Sequence, residues 1–481
     1  MTVRRVAGVS IALGALVAGI LAGASAGAGL APVAYAVGGL GLAVAWWADG
    51  AARVAAGALA CAVLGAGVSA AAEAGVRSSS LSPLIASRAS VTLPGTLVSD
   101  ADATGYVASA YVRVPVAGGH RTVLARASGA ASSRFRVLHA GDRVVLGGRL
   151  APLRSGGADA SARRRHAVAR LDDADVTAFA PPRGLFAVAD ALRGVVLRGL
   201  RPLPPETQAL TAGFLLGDTR DVPEPVVDDY RDAGLSHLLA VSGANVAFVL
   251  ALCAPLLERL RLPARTVASV GVILVFATMT RFEPSVIRAS VMAAVALLAV
   301  AAGRPADRLR VLVLGVILCL LADPFLLRSA GFALSCAASA GIVVLAPVLA
   351  ARLPGPRVVR EPLAVSIGAQ VGVVPVLLAV FGSYPVVSPV TNLAAAPAAE
   401  ALGVYGLVAA VVAAAVPPVG PIVQAPTVLL VAWVSAVARA GAAVPVTLDA
   451  RATAGWASIA AAAASLACLR GRRSLPRTAP R

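Results

Sequence analysis

The sequence contains no lysine; its 42 basic residues are all arginine. A phosphate-binding loop of the G-x-x-x-x-G-K-[ST] kind and a Schiff-base enzyme both need that amine, so neither an ATPase engine nor a pyridoxal-type enzyme is encoded. Histidine is nearly as scarce: His120, His139, His166 and His237 are too few for a His-rich binuclear metal centre. Cys61, Cys253, Cys319, Cys336 and Cys468 each sit in an apolar run with no C-x-x-C spacing, which indicates neither a zinc site nor a disulfide framework. Aromatic residues make up 4% of the chain and charged residues 14%, against about 25% charged in an average soluble domain. A water-soluble enzyme is excluded, and no catalytic residue, metal or cofactor is expected.

What the chain has in abundance is apolar length. It is 58% hydrophobic, with a mean hydropathy of +0.83, and its 481 residues leave room for roughly ten or more spans of ~20 residues beside one small soluble domain. Apolar runs near 6–24, 30–47 and 54–72 come first. Others follow near 235–257, 266–280, 286–302, 309–322, 330–350, 362–381, 388–416, 422–442 and 453–469, twelve in all. Because two runs follow the first at once, MTVRR opens a packed membrane region and not a secretory signal. Gly19, Gly23 and Gly27 recur on one face of the first run, which predicts close helix packing in lipid. The loops ERLRLPAR (258–265), GRPADRLR (303–310) and ARLPGPRVVREP (351–362) and the tail RGRRSLPRTAPR are predicted to be cytoplasmic. Twelve spans then put both termini in the cytoplasm and the segment between the third and fourth spans outside the cell. The net charge of +18 is accounted for by such loops and says little about partners.

That external segment, 77–182, changes character. VTLPGTLV, GYVASAYVRVPV, RTVLARA, GDRVVLGGRL, AVARL and DVTAF alternate apolar and polar residues between Gly, Ser, Pro and Asp breaks, predicting a small antiparallel β domain of five or six strands. SGGADASARRRH, with Arg163, Arg164 and Arg165, reads as a polar loop. In LFAVADALRGVVLRGL (185–200), Leu185, Val188, Leu192, Val195 and Val196 make an apolar helical stripe with Arg193 and Arg198 off it, the pattern of a helix on a membrane surface. Two short helices follow, opening at Pro205–Glu206 and after Asp221, the second closing at Gly234. Asp228, Asp229 and Asp232 in the second read as a solvated helix face.

An isolated ionisable group at mid-bilayer costs at least ~2.5–3.5 kcal/mol, so polar residues inside the spans are informative. His237, Ser242 and Asn245 open the second half and fall roughly on one face of a helix loosened at Gly243, either lining a path or hydrogen-bonding between helices. Arg281 and Glu283 read as an interfacial pair, whereas Arg288 lies deeper and needs a carboxylate, a headgroup, a polyanion or a route to the interface. Gln370, Asn392 and Glu400 lie in runs broken by Pro375, Pro389 and Pro397, a pattern tolerated where helices line a cavity or meet protein. A Ser–His nucleophile built from Ser242 and His237 has no visible orienting acid or oxyanion hole.

GLSHLLAVSGANV (234–246) resembles the competence membrane-channel family usually called ComEC/Rec2. The resemblance continues through AGFLLGDTRDVPEPVVDDYRDAG (212–234), EPSVIRASVMAAVALLA (283–299), ADPFLLRSAGFALSCAASAG (322–341) and AQVGVVPVLLAVFGSYPVVSPVTNLAAAP (369–397). The first three spans and the β domain, including AGDRVVLGGRL (140–150), look like that family's OB-like amino-terminal region. The resemblance implies a polytopic α-helical membrane protein of about twelve spans with one small extracellular OB-like β-barrel domain, a multi-pass protein of the cell membrane. Its expected parts are a membrane region (1–76), the β domain (77–182), surface helices (183–234), a multi-span channel (235–470) and a cytoplasmic tail (471–481). It further implies passage of single-stranded DNA across the cytoplasmic membrane in natural transformation. His237, Ser242 and Asn245 match the family's H-L-L-A-[IV]-S-G-x-H segment, with Asn245 in place of its second histidine. Arg113, Arg121, Arg126, Arg134, Arg136, Arg143 and Arg149 are candidates for phosphate contacts, and Tyr106, Tyr111, Phe135 and Phe179 for modest stacking. No H-x-H-x-D-H occurs, so a separate nuclease is expected, as is a separate motor or helicase; self-association stays open. A secondary transporter of a small solute or lipid-linked sugar is the alternative.

Overall fold

The computed structural model describes residues 2–449 apart from 26–28, 48, 78–79, 105, 118, 155–158, 160–161, 164, 305–306 and 445. The apolar run at 453–469, the basic tail, Arg164 and Gly27 lie outside the described residues. The chain forms two compact units.

The first unit holds residues 1–223, 237–336 and 398–432. It opens with helices α1 (Thr2–Gly23), α2 (Leu30–Trp47) and α3 (Gly50–Arg77). At Gly19 and Gly23 of α1, any Cβ would collide with the carbonyl oxygens of Ala62 and Ala66 on α3. The four-residue glycine spacing thus lets the two backbones touch where lipid supplies no hydrophobic drive.

After the short α4 (Ser82–Ala86) come β1 (Ser90–Leu97), β2 (Asp102–Thr104), β3 (Val107–Val116), β4 (Gly119–Ser128), α5 (Ala130–Arg136), β5 (Arg143–Ala151) and β6 (Ala167–Ala180). Strand order is β1-β5-β6-β4-β3-β2, and β1 also pairs with β3, so the sheet closes on itself. Among the described residues only β4 and β6 run parallel. A closed barrel of this order is the Greek-key arrangement of an OB fold. Alternation drives it: Ala108, Ala110, Val112 and Val114 of β3 turn inward onto Leu97, Val123, Val144, Leu146 and Leu171. Phe135, expected among the stacking aromatics, belongs to this core and is fully buried.

The same unit continues with α6 (Leu185–Leu200) and α7 (Pro205–Leu216), then α9 (Gly243–Leu257), α10 (Leu262–Met279), α11 (Pro284–Ala301) and α12 (Arg308–Ala322). The second unit holds 224–236, 337–397 and, among the described residues, 433–449. It contains α8 (Glu224–Asp232), α14 (Arg357–Phe381) and the two-stranded ladder of β7 (Ser383–Pro385) with β8 (Thr447–Asp449). The helices α13 (Ala330–Arg352), α15 (Ser388–Ala415) and α16 (Gly420–Ala442) are divided between the units. Among the described residues, eight helical segments are long and apolar enough to cross a membrane: Gly50–Val76, Ser236–Leu257 (a tight turn and α9), Leu262–Met279, Pro284–Ala301, Ala330–Arg352, Arg357–Phe381, Ser388–Ala415 and Pro417–Ala442 (a tight turn and α16). Gly8–Gly23 and Leu30–Ala45 are shorter apolar helices, and α12 has 15 residues.

On α6 the buried residues are Ala189, Arg193, Val196, Gly199 and Leu200, whereas Leu185, Val188 and Leu192 point outward. Arg193 turns inward because it has carboxylates to meet there. One sequence expectation changes: residues 236–246 do not form one continuous helix. Ser236–Leu238 is a single tight turn, Ser242 is extended (φ −83°, ψ 155°), and α9 starts at Gly243.

Candidate functional site

The densest polar cluster joins the barrel to the helices. Asp100, in the β1–β2 loop, accepts from the backbone N–H of Ala140 at 2.8 Å and from Arg281 Nε at 2.8 Å, and its other oxygen lies 3.2 Å from Arg193 Nη2. Arg193 also donates to Asp218 at 2.6 Å and to the Met279 carbonyl at 2.9 Å. Arg220 forks onto both oxygens of Asp218 at 2.8 and 2.7 Å, and Arg281 reaches Asp190 on α6 at 2.7 Å. Arg281 therefore does not pair with Glu283 as expected. It sits with Phe282 at positive φ (56° and 55°), a conformation costing roughly 1–2 kcal/mol per residue and held by the two carboxylates its side chain bridges. Burial alone would raise the carboxyl pKa of Asp218, but Arg220 and Arg193 overcome it and hold the group far below the usual range. Asp100 is likewise pushed up by burial and brought net lower by Arg193, Arg281 and the Ala140 N–H. Both stay ionised at neutral pH. None of Asp100, Asp190, Asp218 or Arg220 stood out in the sequence, since each lies outside the apolar runs.

A second tie links His166, at the start of β6, to Asp323 after α12, Nε2 to Oδ1 at 3.0 Å, with the His166 ring edge-on to Phe325.

The polar candidates of the spans fall into separate places. His237 is exposed on its turn, and Ser242 is exposed at the N-cap of α9. Ser242 Oγ donates to Asn245 Oδ1 at 3.3 Å, and buried Asn245 donates to the Phe214 carbonyl at 3.2 Å, tying α9 to α7. Arg288, 7% exposed, donates through Nε to Ser335 Oγ at 2.7 Å and through Nη1 to Met292 Sδ at 3.0 Å. No carboxylate pairs with it among the described residues. Glu400 is exposed on α15. In the second unit, Gln370 accepts from the Tyr384 hydroxyl at 3.2 Å, and buried Asn392 donates to the Ser388 carbonyl and hydroxyl at 2.7 and 3.0 Å. Asp228 of α8 pairs with Arg231 on an exposed face.

The barrel arginines also separate. Arg126 is taken up by buried Asp159 at 2.9 Å, and Arg134 by Asp175 at 3.1 Å. Arg121 donates to the His120 carbonyl at 2.9 Å, while Arg136 and Arg149 are exposed. Arg113 and Arg143 converge: both lie opposite Thr96 of β1, one on each side. With strands about 4.8 Å apart, their Cα atoms are roughly 10 Å apart. They line an open cleft of about 600 Å³ together with His120 and Phe179, the latter 56% exposed. Tyr106 is exposed, and Tyr111 carries the Arg165 guanidinium over its ring.

A family model described as "Competence protein" matches residues 214–473. The chain is 29% identical over 202 residues to ComE operon protein 3 of Bacillus subtilis (strain 168), a match covering 40% of this chain and 25% of that protein. It is 27% identical over 233 residues to the uncharacterized protein YcaI of Escherichia coli (strain K12), covering 44% of this chain and 30% of that protein. The chain thus spans less than a third of the length of either curated relative. No solved structure matches it.

Proposed function

The chain belongs to the competence protein family, and from that premise we propose that it passes single-stranded DNA across the cytoplasmic membrane during DNA uptake, with the OB-type barrel outside the cell as the receiving domain. The observation that carries this reading is the barrel's attachment. The barrel is bonded through Asp100 to Arg281, which follows α10, and through His166 to Asp323, which follows α12. On the twelve-span reading, in which α10, α11 and α12 each cross, these loops lie on the side opposite the Arg-rich turns after α9 and α11. Positive residues mark the cytoplasmic face. This supports a barrel on the external side.

On the barrel, Arg113 and Arg143 flank Thr96 at a spacing suited to successive phosphates, and exposed Phe179 offers a ring to a base. OB folds hold single strands by such pairing of charge with stacking. His237, Ser242, Asn245, Arg288, Gln370, Asn392 and Glu400 remain the candidates for the membrane path. Among them Ser242, Arg288, Gln370 and Asn392 bond neutral groups, which suits a lining that lets a polyanion move on. The energy comes from a partner motor or the membrane potential, and strand degradation from a separate nuclease.

The test is uptake of labelled DNA by the native host carrying a deletion, complemented with wild type or with Arg113→Ala/Arg143→Ala. Surface-bound and cytoplasmic DNA are scored separately. Loss of the cytoplasmic signal with surface binding retained is expected on deletion. Unchanged import in cells shown to be competent would overturn the reading in favour of a small-solute transporter.

A further inference from the structure

Arg288 and the N-terminus of α9 are two positive poles pressed together. The N-cap residue Ser242 does not cap the helix with its side chain; its hydroxyl is turned to Asn245 instead. The backbone N–H groups of Gly243 and Ala244 have no acceptor among the described residues. The first turn of a 15-residue helix therefore presents its partial positive charge unanswered. Against it lies the Arg288 guanidinium, whose Nη2 would stand 3.1 Å from a Cβ on Gly243. Its Nε and Nη1 bond only neutral Ser335 and Met292. Glycine at 243 is what permits this approach, since Ala289 would also stand 3.1 Å from any Cβ there.

In a low-dielectric surrounding, like poles brought together and left without an anion repel one another. The arrangement becomes favourable when an oxyanion sits between them, taking hydrogen bonds from the helix N–H groups and a charge-assisted bond from the guanidinium. We propose that Gly243, Ala244 and Arg288 form a phosphodiester-binding station in the membrane part, and that its occupant is a backbone phosphate of the transported single strand. This rests on the DNA-passage reading above. Position supports it: Arg288 is in the second turn of α11, just beyond the loop whose Arg281 is bonded to the barrel, so a strand leaving the barrel meets this station early. The Ser285 hydroxyl, donating to the Val241 carbonyl at 2.6 Å, fixes the segment that leads into the helix. Because only one guanidinium is involved and the station is open at Ser242, a phosphate is held weakly enough to leave.

The experiment uses the full chain in phosphatidylcholine nanodiscs and a 5′-fluorescein oligothymidylate, with affinity measured by anisotropy across a salt series. Arg288→Gln is expected to weaken binding about tenfold and to lower the salt slope by about 0.7, the value for one phosphate contact on a single strand. Gly243→Val keeps the arginine but fills the space beside it and is expected to do the same, which guards against a folding defect peculiar to Arg288→Gln. Wild-type binding with both variants unchanged would overturn the station and leave the DNA reading standing. No oligonucleotide binding by the wild type would overturn both. Arg288-dependent retention of phosphatidylglycerol, with no effect on the oligonucleotide, would assign the site to a lipid headgroup and overturn the proposal.

Discussion

Replacing Asp100 with asparagine should loosen the barrel from the helices more than any other isosteric change at the junction. The Asp100 side chain is 13% exposed, and its partners Arg193 and Arg281 are 3% and 10% exposed, so solvent does little to replace it. Breaking a buried ion pair by removing one partner costs about 3–5 kcal/mol because the other charge is stranded. Here each arginine keeps a second carboxylate, Asp218 at 2.6 Å and Asp190 at 2.7 Å, which places Asp100→Asn at the lower edge, about 3 kcal/mol. The assay is equilibrium unfolding in mixed micelles, with proteolysis in the loops flanking β1 as a local readout. Asp228→Asn serves as control, since that carboxylate pairs with Arg231 in an exposed i,i+3 contact worth about 0–1 kcal/mol. An Asp100→Asn variant that unfolds with the control would refute the argument that this cluster is a buried structural joint.

The depressed pKa values of Asp100 and Asp218 fix a pH window. A carboxyl whose folded pKa lies below the unfolded value of about 3.9 gives its full stabilisation above that value and loses it as pH falls toward the folded pKa. Unfolding followed from pH 8 to pH 3 should therefore show the pair's full contribution, independent of pH, above about pH 5 and a decline below pH 4, flattened in Asp218→Asn. Gly19→Ala should destabilise the α1–α3 pair by about 1–3 kcal/mol, because backbone stands where the methyl would go; hydrogen exchange in α1 reads this directly. Arg113→Ala/Arg143→Ala should weaken oligonucleotide binding and lower the salt slope by about 1.4, two single-strand phosphates, while Phe179→Ala weakens binding with the slope unchanged. Equal slopes in wild type and the double arginine variant would remove the cleft from the DNA path.

The apolar runs and the alternating β segments were plain in the sequence because each reports one local period. Barrel closure through β1 and β3 was not, since Thr96 and Arg113 meet only by register. On α6 the spacing of Leu185, Val188 and Leu192 marks the stripe, but the burial of Arg193 is not legible there, because its carboxylate partners Asp100 and Asp218 lie far away in the chain. His237, Ser242 and Asn245 looked like one helix face on spacing alone. The Ser-Gly-Ala-Asn run carried an N-cap signal, Ser242 followed at once by an apolar helix, that argues for a break at that point. The junction carboxylates were invisible because Asp100, Asp190 and Asp218 come from distant parts of the chain.

Passage of a single strand through this chain is tested most directly in proteoliposomes. The purified full chain is reconstituted, a membrane potential is imposed, and labelled single- or double-stranded oligonucleotide is added outside with nuclease added later. The account predicts nuclease-protected single strand in the lumen, dependent on the chain and on the potential, sensitive to Arg288→Gln, and absent for duplex. Lumenal protection no greater than in protein-free vesicles, with the potential maintained and the barrel binding the oligonucleotide, would contradict it.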